Sequence, residues 1–195
     1  MVSIANRERM HTFMGKAIGM VEYKTVSRGL LVADMMLKTA EVEIVEAQTV
    51  CPGKYIVLLS GDLSAVNACI EAARTGHSEH LIDSFILGNP HESIFPAIYG
   101  TTRIDKINAL GILETFSAAS IIVAADEAAK TSQVDLIELR IARGMCGKSY
   151  LLLTGDIAAV EAAIAKAKSA VGKNGMLLDS SVIANPDGKL CKSIL

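Results

Sequence analysis

The chain repeats itself once, and this constrains its fold more than any other feature. "AIGMVEY" at 17–23 returns as "ALGILET" at 109–115, an offset of 109 − 17 = 92. The same offset pairs Ala33-Asp34 with Ala125-Asp126, Lys38 with Lys130, and "VEIVE" (42–46) with "VDLIE" (134–138). Further along, Gly53-Lys54 pairs with Gly147-Lys148 and Gly61-Asp62 with Gly155-Asp156, at an offset of 94. Asp83-Ser84 and Asn89-Pro90 match Asp179-Ser180 and Asn185-Pro186 at 96. Collinear matches whose offset drifts by two residues at a time mark a duplicated domain with small loop insertions. A solenoid would show a far shorter period, repeated at least three times.

Each copy carries the same order of elements. A strand ("AIGMVEY") leads into a helix ("SRGLLVADMMLKTAE") whose apolar positions recur at helical spacing. A second strand, a Gly-containing turn and a third strand ("YIVLLSGD") follow. Asp62 or Ser64 is placed to cap the next helix ("LSAVNACIEAARTG"), Gly76 ends it, and a last strand ("LIDSFILGN") closes the unit. Strand–helix–strand–strand–helix–strand predicts a mixed α/β chain of the α+β kind: ferredoxin-like units, each an antiparallel sheet with its helices on one face. The expected divisions are a polar arm at 1–15, domains at 16–98 and 109–190, a linker at 99–108, and a tail at 191–195.

Composition narrows the function. An apolar fraction of 51% with a net charge of −2 excludes disorder and disfavours nucleic acid or anionic membrane as a partner. No apolar run approaches the ~18 residues of a membrane span, and the charged N-terminus does not read as a signal peptide. The cytoplasm is the default expectation, with the four cysteines as reduced thiols.

One turn stands out. In "AQTVCPGKY" a cysteine, Cys51, sits where two strands meet, beside Pro52 and Gly53. These neighbours favour a tight turn and let backbones crowd together. The matching turn, "RGMCGKSY", sets Met145 against Cys51 and Cys146 against Pro52, ahead of Gly147. It is no phosphate loop, because Ala142 stands where the first glycine belongs and a strand rather than a helix follows Ser149. Cys69 falls on an Ala-rich helix face and reads as core, while Cys191 has no assigned role. His77, Glu79 and His80 read as a solvated loop rather than metal ligands. Asp126 and Glu127 are adjacent, so on a helix they diverge, and no nucleophile–base–orienter set is present. The residues suggest no enzyme.

The quoted motifs, in order and in both copies, resemble the BMC domain, the building block of bacterial microcompartment shells, over roughly residues 16–190. Beginning with the "AIGMVE" strand, the chain resembles the unpermuted tandem type. That implies a homotrimer whose six domains imitate a hexamer and tile with other shell proteins in the cytoplasm. The turn "TVCPGK" is similar to the pore turn of the iron–sulfur-binding shell proteins of propanediol-utilisation compartments. There the resemblance implies a [4Fe–4S] cluster shared by three chains, with Cys51 as ligand and Cys146 as a possible additional one. It would serve electron or cluster transfer across the shell, with an encapsulated redox enzyme as a partner. Val50, Cys51, Pro52, Gly53, Met145, Cys146 and Gly147 would line the pore.

The resemblance also places Lys38 and Lys130 at the tile edge, together with Asn89 and Asn185, which stand where the family often has arginine. A surface thiol without metal, on a pore passing small polar metabolites, stays open as an alternative. So does a ligand-binding regulatory protein built on ferredoxin-like domains.

Overall fold

A computed structural model describes residues 17–195; the expected polar arm at 1–15 lies outside the described residues. Each copy of the repeat builds one four-stranded antiparallel sheet. In the first, β1 (Ala17–Tyr23), β2 (Val42–Val50), β3 (Lys54–Gly61) and β4 (Leu81–Leu87) stand in the order β2-β3-β1-β4. In the second, β5 (Ala109–Thr115), β6 (Val134–Arg140), β7 (Ser149–Gly155) and β8 (Leu177–Ile183) stand in the order β6-β7-β5-β8.

The duplication extends to irregularities. Register shifts between Ile44 and Glu46 in β2 and between Leu136 and Glu138 in β6, and both first strands shift beside their glutamate, at Glu22/Tyr23 and Glu114/Thr115. Bulges are specified by local geometry, so their recurrence is the repeat expressed in backbone form.

In the first copy, helix α1 (Val26–Thr39) buries Gly29, Val32, Ala33 and Met36, and α2 (Leu63–Gly76) buries Val66, Cys69, Ile70 and Ala73. Both sets have the i, i+3, i+4, i+7 spacing of one helix face. They pack with Val21, Tyr23, Tyr55, Val57 and Leu59 of the sheet. Gly19 lets α2 close on β1, since a Cβ there would lie 2.7 Å from Val66 Cγ1; Gly111 does the same against Val160 and Ile164, each at 3.0 Å. Asp62 occupies the cap position of α2 but its side chain makes no capping hydrogen bond. The expected side-chain cap is therefore absent, and the backbone alone starts the helix, with Val66 N–H donating to Asp62 O.

In the second copy, α4 (Ala118–Thr131) and α5 (Ile157–Gly172) are joined by the Lys166–Glu127 ion pair at 3.3 Å. Two short helices add to the expected order: α3 (Ile94–Ile98) and α6 (Gly188–Ile194). The final residues are thus helical, with the Asp187 carboxylate accepting from Lys189 N–H. Cys191 and Ile194 of α6 pack on a small cluster of Ile107, Leu110 and Ile137.

The chain forms two compact units, and they do not coincide with the two copies. The first comprises the described residues up to Pro90 together with Ser117–Ala119 and Ala142–Gly147; the second comprises His91–Phe116, Ser120–Ile141 and Lys148–Leu195. Two pieces of the second copy, the start of α4 and the turn carrying Cys146, therefore belong with the first sheet.

Candidate functional site

The Cys51 turn is the tip of the β2–β3 hairpin. The strands pair up to Val50↔Lys54, leaving Cys51, Pro52 and Gly53 as the loop. Gly53 N–H donates to Val50 O at 2.9 Å, and Gly53 takes φ +102°, a conformation glycine adopts without cost. The Cys51–Pro52 peptide is cis. Val50 is buried, whereas Cys51, Pro52 and Gly53 are exposed. A thiol held at the end of a paired hairpin, with open space around Gly53, is presented outward rather than packed.

Lys54 fixes the base of this turn. Its Nζ lies 2.8 Å from Glu22 Oε1, and the Glu22 side chain is fully buried in β1. The second carboxylate oxygen accepts from Ala118 N–H at 2.9 Å, the first amide of α4. A buried carboxylate with a cation on one oxygen and a helix amide on the other has its charge compensated at both. Burial nevertheless pushes the Glu22 carboxyl above its ordinary value. The Lys54 hydrogen bond and charge and the Ala118 amide act against that rise, and the Asp83 charge adds to it. Alongside, Ser117 Oγ donates to Asp83 Oδ2.

The Cys146 turn packs against the Cys51 turn. Gly147 is buried, and a Cβ on it would lie 2.9 Å from Lys54 Nζ and 3.0 Å from Cys51 O. Ala142, Gly144, Cys146 and Gly147 all have positive φ, so the segment coils in the left-handed region. For Ala142 and Cys146 that conformation costs about 1–2 kcal/mol each. Arg143 anchors the segment through an ion pair to Glu46. Met145 is half-buried and Cys146 exposed.

Other residues singled out from the sequence separate clearly. Lys38 pairs with Asp34 at 2.5 Å and Lys130 with Asp126 at 2.6 Å, each one turn apart on its helix; the first pair is exposed at both ends, the second only at Lys130. Asp126 is itself buried and accepts from His91 N–H at 2.7 Å, while Glu127 turns away to Lys166. These two carboxylates form no acid–base pair. Asn89 and Asn185 are exposed just beyond β4 and β8. Cys69 is in the core, its Sγ donating to Met36 O at 3.2 Å. The segment Ser78–His80 is a 3₁₀ turn in which His80 and Arg28 both approach Glu79. Ser149 opens β7 directly, which disposes of the phosphate-loop pattern.

Sequence reasoning did not find Glu22, Asp83, Ser117, Ala118 or the Arg143–Glu46 pair. A signal for the first was present: Glu22 is a charge inside the apolar strand "AIGMVEY". Such a residue is costly to bury without a partner.

As for a metal, among the described residues of one chain no three His, Cys, Asp or Glu side chains are grouped to hold an ion. Cys51 is nonetheless chemically suited to iron and sterically open, so a cluster fits this turn only with thiols from further chains. Among the described residues, no helix is long and apolar enough to cross a membrane.

The BMC-domain family profile matches residues 17–90 and 109–186. The bacterial microcompartment shell protein PduT of Citrobacter freundii is 38% identical over 182 residues, covering 93% of this chain and 99% of that protein. The carboxysome shell protein CsoS1B of Hydrogenovibrio crunogenus is 34% identical over 94 residues, 46% of this chain but 95% of that protein, the relation expected of one repeat to a single-domain relative. A crystal structure of a microcompartment protein from Desulfitobacterium hafniense superposes with a TM-score of 0.80 at 48% identity, covering 91% of this chain and 98% of that one. With the duplicated sheets, these likenesses show that the chain belongs to the BMC-domain family, as a tandem shell protein of bacterial microcompartments with a structural, non-enzymatic role.

Proposed function

We propose that this chain forms a homotrimeric tile of pseudohexagonal outline in the shell, and that three Cys51 thiolates converge on its axis to hold a [4Fe–4S] cluster. Members of the family oligomerise and assemble with other shell proteins, which supports the assembly. The observation that carries the ligand assignment is the exposed thiol at the tip of the β2–β3 hairpin, pinned from behind by the Lys54–Glu22 pair. Three such thiols leave one iron without a protein thiolate. When bound, the cluster supplies one-electron transfer, which suits electron or cluster passage across a shell. The chain's own residues orient and space the ligands: Gly53 and Pro52 shape the tip, Lys54 and Gly147 fix its base, and Cys146 stands in the adjoining turn as a candidate further ligand. Lys38 and Lys130, with Asn89 and Asn185, form the tile edge in this reading.

Anaerobic purification followed by iron and sulfide assay tests the assignment. The wild type should carry both, Cys51→Ser should lose both while remaining trimeric, and Cys146→Ser should retain the cluster. A Cys51→Ser trimer with full iron and sulfide would shift the ligand role to Cys146. A wild-type trimer that takes up no iron would be a metal-free tile whose pore passes small polar metabolites.

A further inference from the structure

The four cysteines divide into two kinds. Cys69 lies in the core with its Sγ donating to Met36 O, and Cys191 is half-buried against Ile107, Leu110 and Ile137. Cys51 and Cys146 are free and exposed, on neighbouring turns of the same compact unit. The duplication does not account for this pairing, since Cys51 is matched by Met145 and Cys146 by Pro52.

Gly147 bounds the distance between the two. A Cβ on that residue would lie 3.0 Å from Cys51 O, and Cys146 is one peptide step of about 3.8 Å before it. With every intervening bond laid end to end, the Cys51 and Cys146 Cα atoms are at most about 11 Å apart, and every bend in that path shortens it. A disulfide spans about 4.4–6.8 Å between Cα atoms. Any excess over that range falls to the two tips, and both have room to move. A Cβ on Gly53 or on Gly144 would meet nothing within 4 Å. The bases are held, by the Val50↔Lys54 pairing in one turn and by the Arg143–Glu46 ion pair in the other. Cys146 itself has φ +52°. A residue with a Cβ is kept in that region mainly where its side chain has a use there.

We propose that Cys51 and Cys146 of one chain form a reversible dithiol–disulfide pair whose oxidant is a low-molecular-weight disulfide, RSSR. One cysteine thiolate attacks a sulfur of RSSR; a mixed disulfide forms, the S–S bond of RSSR breaks, and RS⁻ leaves and takes up the proton that the cysteine gave. The second thiolate attacks the protein sulfur of the mixed disulfide. The Cys51–Cys146 bond forms and the second RS⁻ leaves with the second proton. Two cysteine thiols are oxidised, one RSSR is reduced to two RSH, and a thiol reductant runs the steps backwards. Disulfides found in reducing compartments are usually of this transient kind.

The consequence for iron rests on the proposed trimer and cluster. A sulfur in a disulfide is not a thiolate ligand, so oxidation withdraws Cys51 from the axis. Three Cys51 thiols at one axis cannot all pair with one another, because three is odd. One Cys146 in each chain gives every Cys51 a partner, and a tile without a cluster keeps its ligands in a form that does not cross-link chains.

Reduced, iron-free protein treated with glutathione disulfide tests the pair. The wild type should fall from four thiols per chain to two, counted after denaturation, with no change in chain number on a non-reducing gel. A tryptic digest should contain the Cys51 peptide joined to the Cys146 peptide, and a thiol reductant should separate them. Cys51→Ser and Cys146→Ser should each stop at one glutathione adduct per chain, because the resolving thiol is gone. Lasting glutathione adducts on both cysteines of the wild type, Cys51–Cys51 dimers, or four surviving thiols would each overturn the inference. A wild type that holds iron anaerobically, yet gives no joined peptide once iron-free, would overturn the pair and leave the cluster standing. One that holds no iron yet gives the joined peptide would overturn the cluster and leave the pair standing.

Discussion

Replacing Lys54 by Met leaves Glu22 buried in β1 with only the Ala118 amide to meet its charge. At 2.8 Å the Lys54–Glu22 attraction is about 6 kcal/mol for an effective dielectric of about 20. Part of that is offset by the desolvation of Lys54, and breaking a buried pair from one side typically costs about 3–5 kcal/mol. The expected loss in Lys54→Met is of that size at pH 8. Its pH dependence has a fixed sign. Glu22 in the fold binds its proton more readily than in the unfolded chain, chiefly through burial, and removing Lys54 raises its affinity further. The folded state therefore holds the extra proton between the unfolded and folded values, and stability falls as pH rises through that window. The loss in Lys54→Met should be full at pH 8 and shrink towards pH 5. Glu22→Leu/Lys54→Met should recover most of it, short of the roughly 1–3 kcal/mol for an unpaired Ala118 N–H. Urea unfolding at fixed protein concentration, at the two pH values, reads all three quantities. A Lys54→Met variant that loses less than about 1 kcal/mol, equally at both pH values, would refute the view that this pair is buried and charged.

Gly147→Ala should be far worse than Gly144→Ala in thermal melts. Both glycines have positive φ, worth about 1–2 kcal/mol, but only Gly147 would drive a Cβ into Lys54 and Cys51. Tyr23 and Tyr150 are pushed up to about 12 by burial, with the Glu138 hydrogen bond adding at Tyr150. In an alkaline absorbance titration both should ionise near 12 rather than near 10, and their contribution to stability should fade as pH rises from about 10 towards 12. Lys38→Asp/Lys130→Asp should abolish sheets seen by electron microscopy yet leave the trimer intact by light scattering. The exposed Lys38–Asp34 pair contributes only about 0–1 kcal/mol to folding, and at Lys130 the buried Asp126 keeps its bond from His91 N–H.

The element order and the sheets were legible because the repeat supplies two independent readings of each segment. "VEIVE" and "VDLIE" agree where either alone is short. Helix α3 was not legible, since "IFPAI" is five residues with a proline inside. Helix α6 has a readable cap in Asp187-Gly188-Lys189, but seven residues at the chain's end read equally as a tail. The Cys51 turn was visible because Cys-Pro-Gly between two strands is local chemistry. Its anchor was not, because Glu22 and Ala118 are 96 residues apart and only the topology brings them together. The same holds for Arg143 and Glu46, 97 apart. The left-handed path of the Cys146 turn was also hidden, as Ala142 and Cys146 are residues that seldom adopt it.

The central claim is that three Cys51 thiols share one cluster on the trimer axis. Crystals of anaerobically purified protein, measured above and below the iron absorption edge, test it most directly. The account predicts anomalous iron density on a three-fold axis, bonded to Cys51 Sγ of three chains. Density at Cys146 alone, or an axis lined by Cys51 thiols without iron in a preparation that contains iron and sulfide, would contradict it.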